Sequence, residues 1–160
     1  MAFERMIKNA FEQSENNCRL GDTPEEIAEI QDYIKNADMI CIPNKDGIKV
    51  EVLNEVLKEY GLSEAQILQV NTNTADTSRI PALAKAYIAL DQSDADLIIA
   101  RGRLGIPGSG SMLVFIDNKG RILTAGMSPS HVIHKKTIEE AVYREACEAL
   151  EKIGFKKQKA

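Results

Sequence analysis

Short apolar runs alternate along this chain with stretches whose apolar residues recur at helical spacing, and few architectures accept that alternation. Residues 39–42, 67–70 and 96–100 read as strands. Phe3, Met6, Ile7, Ala10 and Phe11 have helical spacing, and Ile27, Ile30 and Ile34 follow the capping box Thr23-Pro24-Glu25-Glu26. Leu53, Val56, Leu57 and Tyr60 stripe a helix over 50–60 that stops at Gly61; Ile80, Leu83, Ala84, Tyr87 and Leu90 stripe another over 78–90. Residues 112–116 and 121–124 flank Asp117-Asn118-Lys119-Gly120, a hairpin turn. A last helix opens on Thr137-x-x-Glu140, presents Ile138, Ala141, Val142, Ala146, Ala149 and Ile153, and stops at Gly154. The pattern predicts an α/β fold with a mixed, largely parallel sheet flanked by helices, the hairpin supplying an antiparallel part. No repeat, linker or low-complexity segment divides the 160 residues, so one domain over 1–160 is expected.

Composition excludes several functions. Net charge is −4, there is no Trp, and the dense basic run Lys156-Lys157-Gln158-Lys159 lies at an end expected to fray, so nucleic-acid binding is not expected. No run reaches the roughly 20 apolar residues of a membrane span. The first residues lack the organisation of a secretory signal, which makes the cytoplasm the expected location. Cys18, Cys41 and Cys147 form no C-x-x-C pair; Cys41 and Cys147 read as small core residues.

Ligands of open α/β sheets bind outside the carboxyl ends of the strands, and the unusual residues fall there. The loop Asn44-Lys45-Asp46-Gly47-Ile48-Lys49 reads either as a phosphate seat at a helix N-terminus or as an ordinary turn. In Asn71-Thr72-Asn73-Thr74-Ala75-Asp76-Thr77-Ser78-Arg79, polar side chains suit a base, ribose or phosphate; equally, Thr77 or Ser78 is a candidate N-cap. Arg101-Gly102-Arg103-Leu104-Gly105-Ile106-Pro107-Gly108-Ser109-Gly110-Ser111 reads as an anion-binding loop, with glycines for close approach and arginines for phosphate oxygens. It is neither a Walker A loop nor a dinucleotide fingerprint. Both histidines, His131 and His134, stand beside Lys135 and Lys136, a set suited to phosphoryl or nucleotidyl transfer or to a plain surface loop. Asp46, Asp76 and Asp117 are the nearest candidates for Mg²⁺, with Asp117 better placed to serve its hairpin turn. Together these loops point to a phosphorylated small molecule, above all a nucleoside triphosphate.

Two resemblances follow. The segment from Met39 through Asn44-Lys45-Asp46-Gly47-Ile48-Lys49 to Gly61 distantly resembles the opening of the inosine triphosphate pyrophosphatase family. The Asn44-to-Lys49 spacing is one residue longer than that family's, and Ala100-Arg101-Gly102-Arg103 stands where it has an acidic segment. Over nearly the whole chain, Ala100 to Ser111 together with Ser128-Pro129-Ser130-His131-Val132-Ile133-His134-Lys135 resembles the HcgB family, methanogen guanylyltransferases of iron-guanylylpyridinol cofactor biosynthesis. That resemblance implies a homodimer of nucleoside-triphosphatase-like fold that joins GMP from GTP to a pyridinol hydroxyl and releases pyrophosphate. Mg²⁺ is expected from the reaction class. On this reading Arg101, His131, His134 and Lys135 are catalytic. Asn44, Lys45, Asn71, Thr72, Asn73, Thr74, Arg79, Gly102, Arg103, Gly105, Gly108, Ser109, Gly110 and Ser111 join Arg101 in holding nucleotide. The competing expectations are a pyrophosphatase of nucleoside triphosphates and a nucleotide-binding module without catalysis.

Overall fold

The computed structural model describes residues 3–44, 47–129 and 137–158. In chain order the elements are α1 (Glu4–Glu15), α2 (Pro24–Lys35), β1 (Ile40–Pro43), α3 (Gly47–Glu59), β2 (Ala65–Leu68), a 3₁₀ turn (Asn73–Thr77), α4 (Pro81–Asp91), β3 (Leu97–Arg103), β4 (Gly110–Asp117), β5 (Ile122–Pro129) and α5 (Ile138–Lys152). The five strands form one sheet in the order β2-β1-β3-β4-β5. β1 pairs parallel with both β2 and β3, while β3–β4 and β4–β5 are antiparallel, so β4 alone runs against the others. The mixed, largely parallel sheet expected from the alternation is present. Among the described residues no helix is long and apolar enough to cross a membrane.

Side-chain alternation along β3 sorts the core into two layers. Leu97 and Ile99 join a cluster with Ile34 of α2, Leu53 and Val56 of α3, and Val142 and Leu150 of α5. Ile98 and Ala100 join a second cluster with Ala82, Ala86 and Ala89 of α4. Burial on both faces explains why β3 reads as an unbroken apolar run. The crossovers from β1 to β2 and from β2 to β3 therefore put α3 and α4 on opposite faces. That arrangement makes a topological switch point between the carboxyl ends of β1 and β3, the place where an open sheet leaves a crevice.

Several boundaries differ from the sequence expectation, each for a tertiary reason. β2 begins at Ala65, two residues early, because Asn54 of α3 grips it: Ala65 N donates to Asn54 Oδ1 at 2.8 Å and Asn54 Nδ2 donates to Ala65 O at 3.1 Å. α4 begins at Pro81 with Ile80 as its N-cap, so neither Thr77 nor Ser78 caps it. Proline suits the first helical position, and it holds the preceding residue out of the helical region. Ser78 instead closes the 3₁₀ turn, and its Oγ accepts from Ile80 N at 3.0 Å. The basic tail does not fray as far as Gln158. Phe155 is buried, Gln158 N donates to Glu59 O at 2.8 Å, and Lys157 Nζ donates to Tyr143 Oη at 2.8 Å. Cys41 and Cys147 are buried as expected, and burial pushes the Cys41 thiol pKa up.

Candidate functional site

The largest correction concerns the glycine-rich segment. Residues 101–111 do not form one loop. β3 continues through Arg103 and β4 starts at Gly110, with Arg101 opposite Leu113 and Arg103 opposite Ser111, which leaves residues 104–109 as a hairpin connection. Glycine at 102 answers a packing demand, since a Cβ there would lie 2.5 Å from Ala82 N at the start of α4. Gly105, Gly108 and Gly110 have φ values of 55°, 78° and 138°, which the turn requires. Arg103 donates to the carbonyls of Gly105, Asp76 (3.0 Å) and Ser78 (3.3 Å), and Arg79 Nη1 donates to Gly105 O at 3.2 Å. These two arginines tie the hairpin to the 3₁₀ segment. Ser109 Oγ donates to Leu104 O and Ile106 O, so it too serves the turn.

Arg101 has a different setting. It leaves the sheet on the side of α5, where Glu145 is wholly buried. Arg101 Nε donates to Glu145 Oε1 at 2.8 Å, and Nη2 donates to Glu145 Oε2 at 3.3 Å and to Ser111 Oγ at 2.6 Å. Ser111 Oγ donates to Glu145 Oε2 at 2.5 Å, and Ser128 Oγ of β5 donates to the same oxygen. Among the described residues Nη1 donates to nothing, and the Arg101 side chain keeps 15% of its surface exposed. That surface faces a cleft at the switch point.

The cleft has an apolar floor of Ile42, Leu53, Ile99 and Val142. Its polar lining comes from Asn44 after β1, Lys49 of α3, Thr72 before the 3₁₀ turn, Lys85 of α4 and Arg101 of β3. Three cationic side chains thus converge from three elements in a protein of net charge −4. Lys85 Nζ lies 3.3 Å from Asp76 Oδ1, whose side chain is 60% exposed, so solvent screens that pair and leaves Lys85 competent toward an anion. The cleft has a volume of about 40 Å³, room for water or one small group rather than a whole nucleotide. A larger cavity of about 420 Å³ lies at the other end of β1 and β3, but Glu29, Asp32, Asp38 and Asp96 line it. Its carboxylates oppose a polyphosphate.

The structure therefore brings together Asn44, Thr72 and Arg101 of the residues expected to act. Asn71, Asn73 and Thr74 lie beside Thr72, with Asn71 Oδ1 accepting from Asn73 N at 3.0 Å. Gly102 makes room for α4, while Arg79, Arg103, Gly105, Gly108, Ser109 and Gly110 serve the hairpin and Ser111 serves the Glu145 network. Lys45, Asp46, His131, His134 and Lys135 lie outside the described residues. Sequence reasoning missed Lys85 and Glu145. Glu145 had a signal: it sits between Ala141–Val142 and Ala146–Ala149 on the buried stripe of α5, where a charge needs a partner.

Among the described residues no three His, Cys, Asp or Glu side chains group together to hold an ion. Asp117 is spent on its turn: it accepts from Lys119 N, Arg121 N and Arg121 Nε. Asp76, paired with Lys85, is the described carboxylate candidate beside the cleft.

A family model described as FeGP cofactor biosynthesis protein HcgB, guanylyltransferase, matches residues 3–155.

Proposed function

From the premise that the chain belongs to the HcgB family of guanylyltransferases in FeGP cofactor biosynthesis, we propose that it joins GMP, taken from GTP, to the hydroxyl of a pyridinol. The observation that carries this reading is the convergence of Lys49, Lys85 and Arg101 with Asn44 and Thr72 at the switch point. In the proposed step the pyridinol oxygen attacks the α-phosphorus and the bond from that phosphorus to the β-bridging oxygen breaks. Pyrophosphate leaves, and the hydroxyl proton passes to solvent or to a basic side chain. The pyridinol hydroxyl is acidic enough to need little basic help. Catalysis then rests on positioning and on cations that meet the charge growing on the leaving group.

In this proposal Arg101 Nη1, Lys85 and Lys49 hold the phosphate chain, with Asn44 and Thr72 as neutral partners. Asn71, Asn73 and Thr74 border the base or ribose, and His131, His134 and Lys135 act toward the acceptor or the pyrophosphate. Lys45 adds to the phosphate seat, and Mg²⁺ accompanies the nucleotide. A homodimer belongs to the same reading, supported by the exposed apolar side chains Ile122 and Met127 on the edge strand β5.

The test incubates the protein with Mg²⁺, each nucleoside triphosphate in turn, and a carboxymethyl-pyridinol. Adducts are followed by mass spectrometry and pyrophosphate by a coupled assay. A pyridinol–GMP adduct from GTP alone is expected. Equal pyrophosphate release without acceptor would make the protein a hydrolase instead.

A further inference from the structure

Glu145 stays outside the lining of the cleft, yet three side chains from three strands converge on its carboxylate. Arg101 comes from β3, Ser111 from β4 and Ser128 from β5. A buried ion pair is weak evidence of a stabilising device, because apolar side chains of similar volume often serve as well. Here the geometry does something apolar residues could not do. A guanidinium is a rigid plane, so fixing Nε and Nη2 against the two carboxylate oxygens also fixes the direction of Nη1. Ser111 and Ser128 also donate to Oε2, which holds the carboxylate in place. Gly126 completes the arrangement: a Cβ there would collide with the Glu145 carbonyl, so glycine lets α5 approach the sheet at this turn.

We propose that Glu145 is the positioning residue of the phosphate seat, clamping Arg101 by one edge so that Nη1 is presented to a phosphate oxygen in the cleft. The inference rests on the reading of that cleft as a triphosphate site. Because the carboxylate balances the guanidinium charge, Arg101 contributes a directed N–H donor more than net charge. A lysine at 101 would keep the ion pair with Glu145 but would present nothing to the cleft.

The experiment measures calorimetric affinity for GTP and for inorganic tripolyphosphate. It compares wild type, Glu145→Gln, Arg101→Lys, Arg101→Met and the double variant Glu145→Gln/Arg101→Met, with melting curves for each. Glu145→Gln and Arg101→Lys should each weaken both ligands roughly tenfold or more, the scale of one charged hydrogen bond. In the Arg101→Met background, Glu145→Gln should cost no further affinity while raising the melting temperature, since it removes a stranded carboxylate. If Glu145→Gln does not fold, Arg101→Lys decides, because it keeps the buried pair. Wild-type affinity for tripolyphosphate in Arg101→Lys, additive losses in the double variant, or no tripolyphosphate binding by wild type would overturn the inference. Tripolyphosphate results as expected, but no pyridinol adduct from GTP, would leave the clamp standing and sink the transferase reading. Normal adduct formation with unaltered affinities in the variants would do the reverse.

Discussion

At the scale of single residues, the glycines and the cleft cations separate packing from chemistry. Gly102 has no room for a side chain beside Pro81 and Ala82, whose backbone atoms cannot yield as a flexible side chain would. Gly102→Ala should therefore destabilise the fold by about 1–3 kcal/mol, the usual cost of forcing an atom into a packed core, seen as a lower denaturation midpoint. Lys85→Met makes a contrasting prediction. Its partner Asp76 is exposed, so the pair contributes no more than about 1 kcal/mol and melting should change little. GTP affinity should fall by about tenfold, measured by titration calorimetry, on the scale of a lost charged contact. A large melting shift with intact affinity would mark Lys85 as structural. Asn44, Thr72 and Arg101, which line the cleft, were legible as candidates because each follows an apolar run in the sequence. Lys85 was not: on a helix of Pro-Ala-Leu-Ala-Lys-Ala-Tyr, one lysine reads as a solubilising residue until the fold turns it toward β3.

At the scale of elements, local chemistry set the start of α2, which carries its own capping box, better than it set the starts of α3 and α4 or the end of β3. The capping box of α2 forms as written: Glu26 N donates to Thr23 Oγ1 at 3.2 Å and Thr23 N to Glu26 Oε1 at 2.8 Å. What the sequence did not announce is Arg19, whose guanidinium takes both oxygens of Glu26 at 2.7 and 2.9 Å. The Arg19 hydrogen bonds, aided by the Thr23 amide, hold the Glu26 pKa down at about 2. A lowered carboxylate pKa contributes stability that is fully present above the ordinary glutamate value of about 4.3 and is lost as pH falls through the folded value. Melting curves of wild type and Glu26→Gln should thus keep a constant gap above pH ~4.5, and the gap should close toward pH 2. A gap independent of pH over that interval would show that the carboxylate charge is not what holds this helix end. β3 taught the opposite lesson. Gly is a poor strand former, yet pairing with β4 carries the strand through Gly102 to Arg103, as tertiary context commonly overrides β-propensity.

At the scale of the whole molecule, two predictions concern surfaces that the sequence left unread. The chain end docks across α3 and α5, with Phe155 in the main core and Gln158 bonded to Glu59. Truncation after Gly154 should lower stability by about 3–5 kcal/mol, as removal of a buried phenylalanine does. Thermal or urea unfolding would show it; an unchanged midpoint would mean the tail contributes nothing. The proposed homodimer should appear at twice 17.7 kDa by light scattering, and Met127→Lys should shift it toward monomer if β5 lies in the interface. A monomer at all concentrations would remove the dimer from the proposal.

The sequence by itself determined the α/β alternation, the buried strand Leu97-Ile98-Ile99-Ala100, the α2 cap and the strand-end location of the polar loops. These depend on periodicity and on hydrogen bonds a few residues apart, which local order expresses. Only the tertiary structure decided that the glycine-rich segment is a hairpin and that Arg103 and Arg79 hold turns together. It alone decided that Arg101 is clamped by Glu145, 44 residues away. Those outcomes depend on which strands pair and on how closely two helices approach the sheet. No spacing within a single segment encodes either distance.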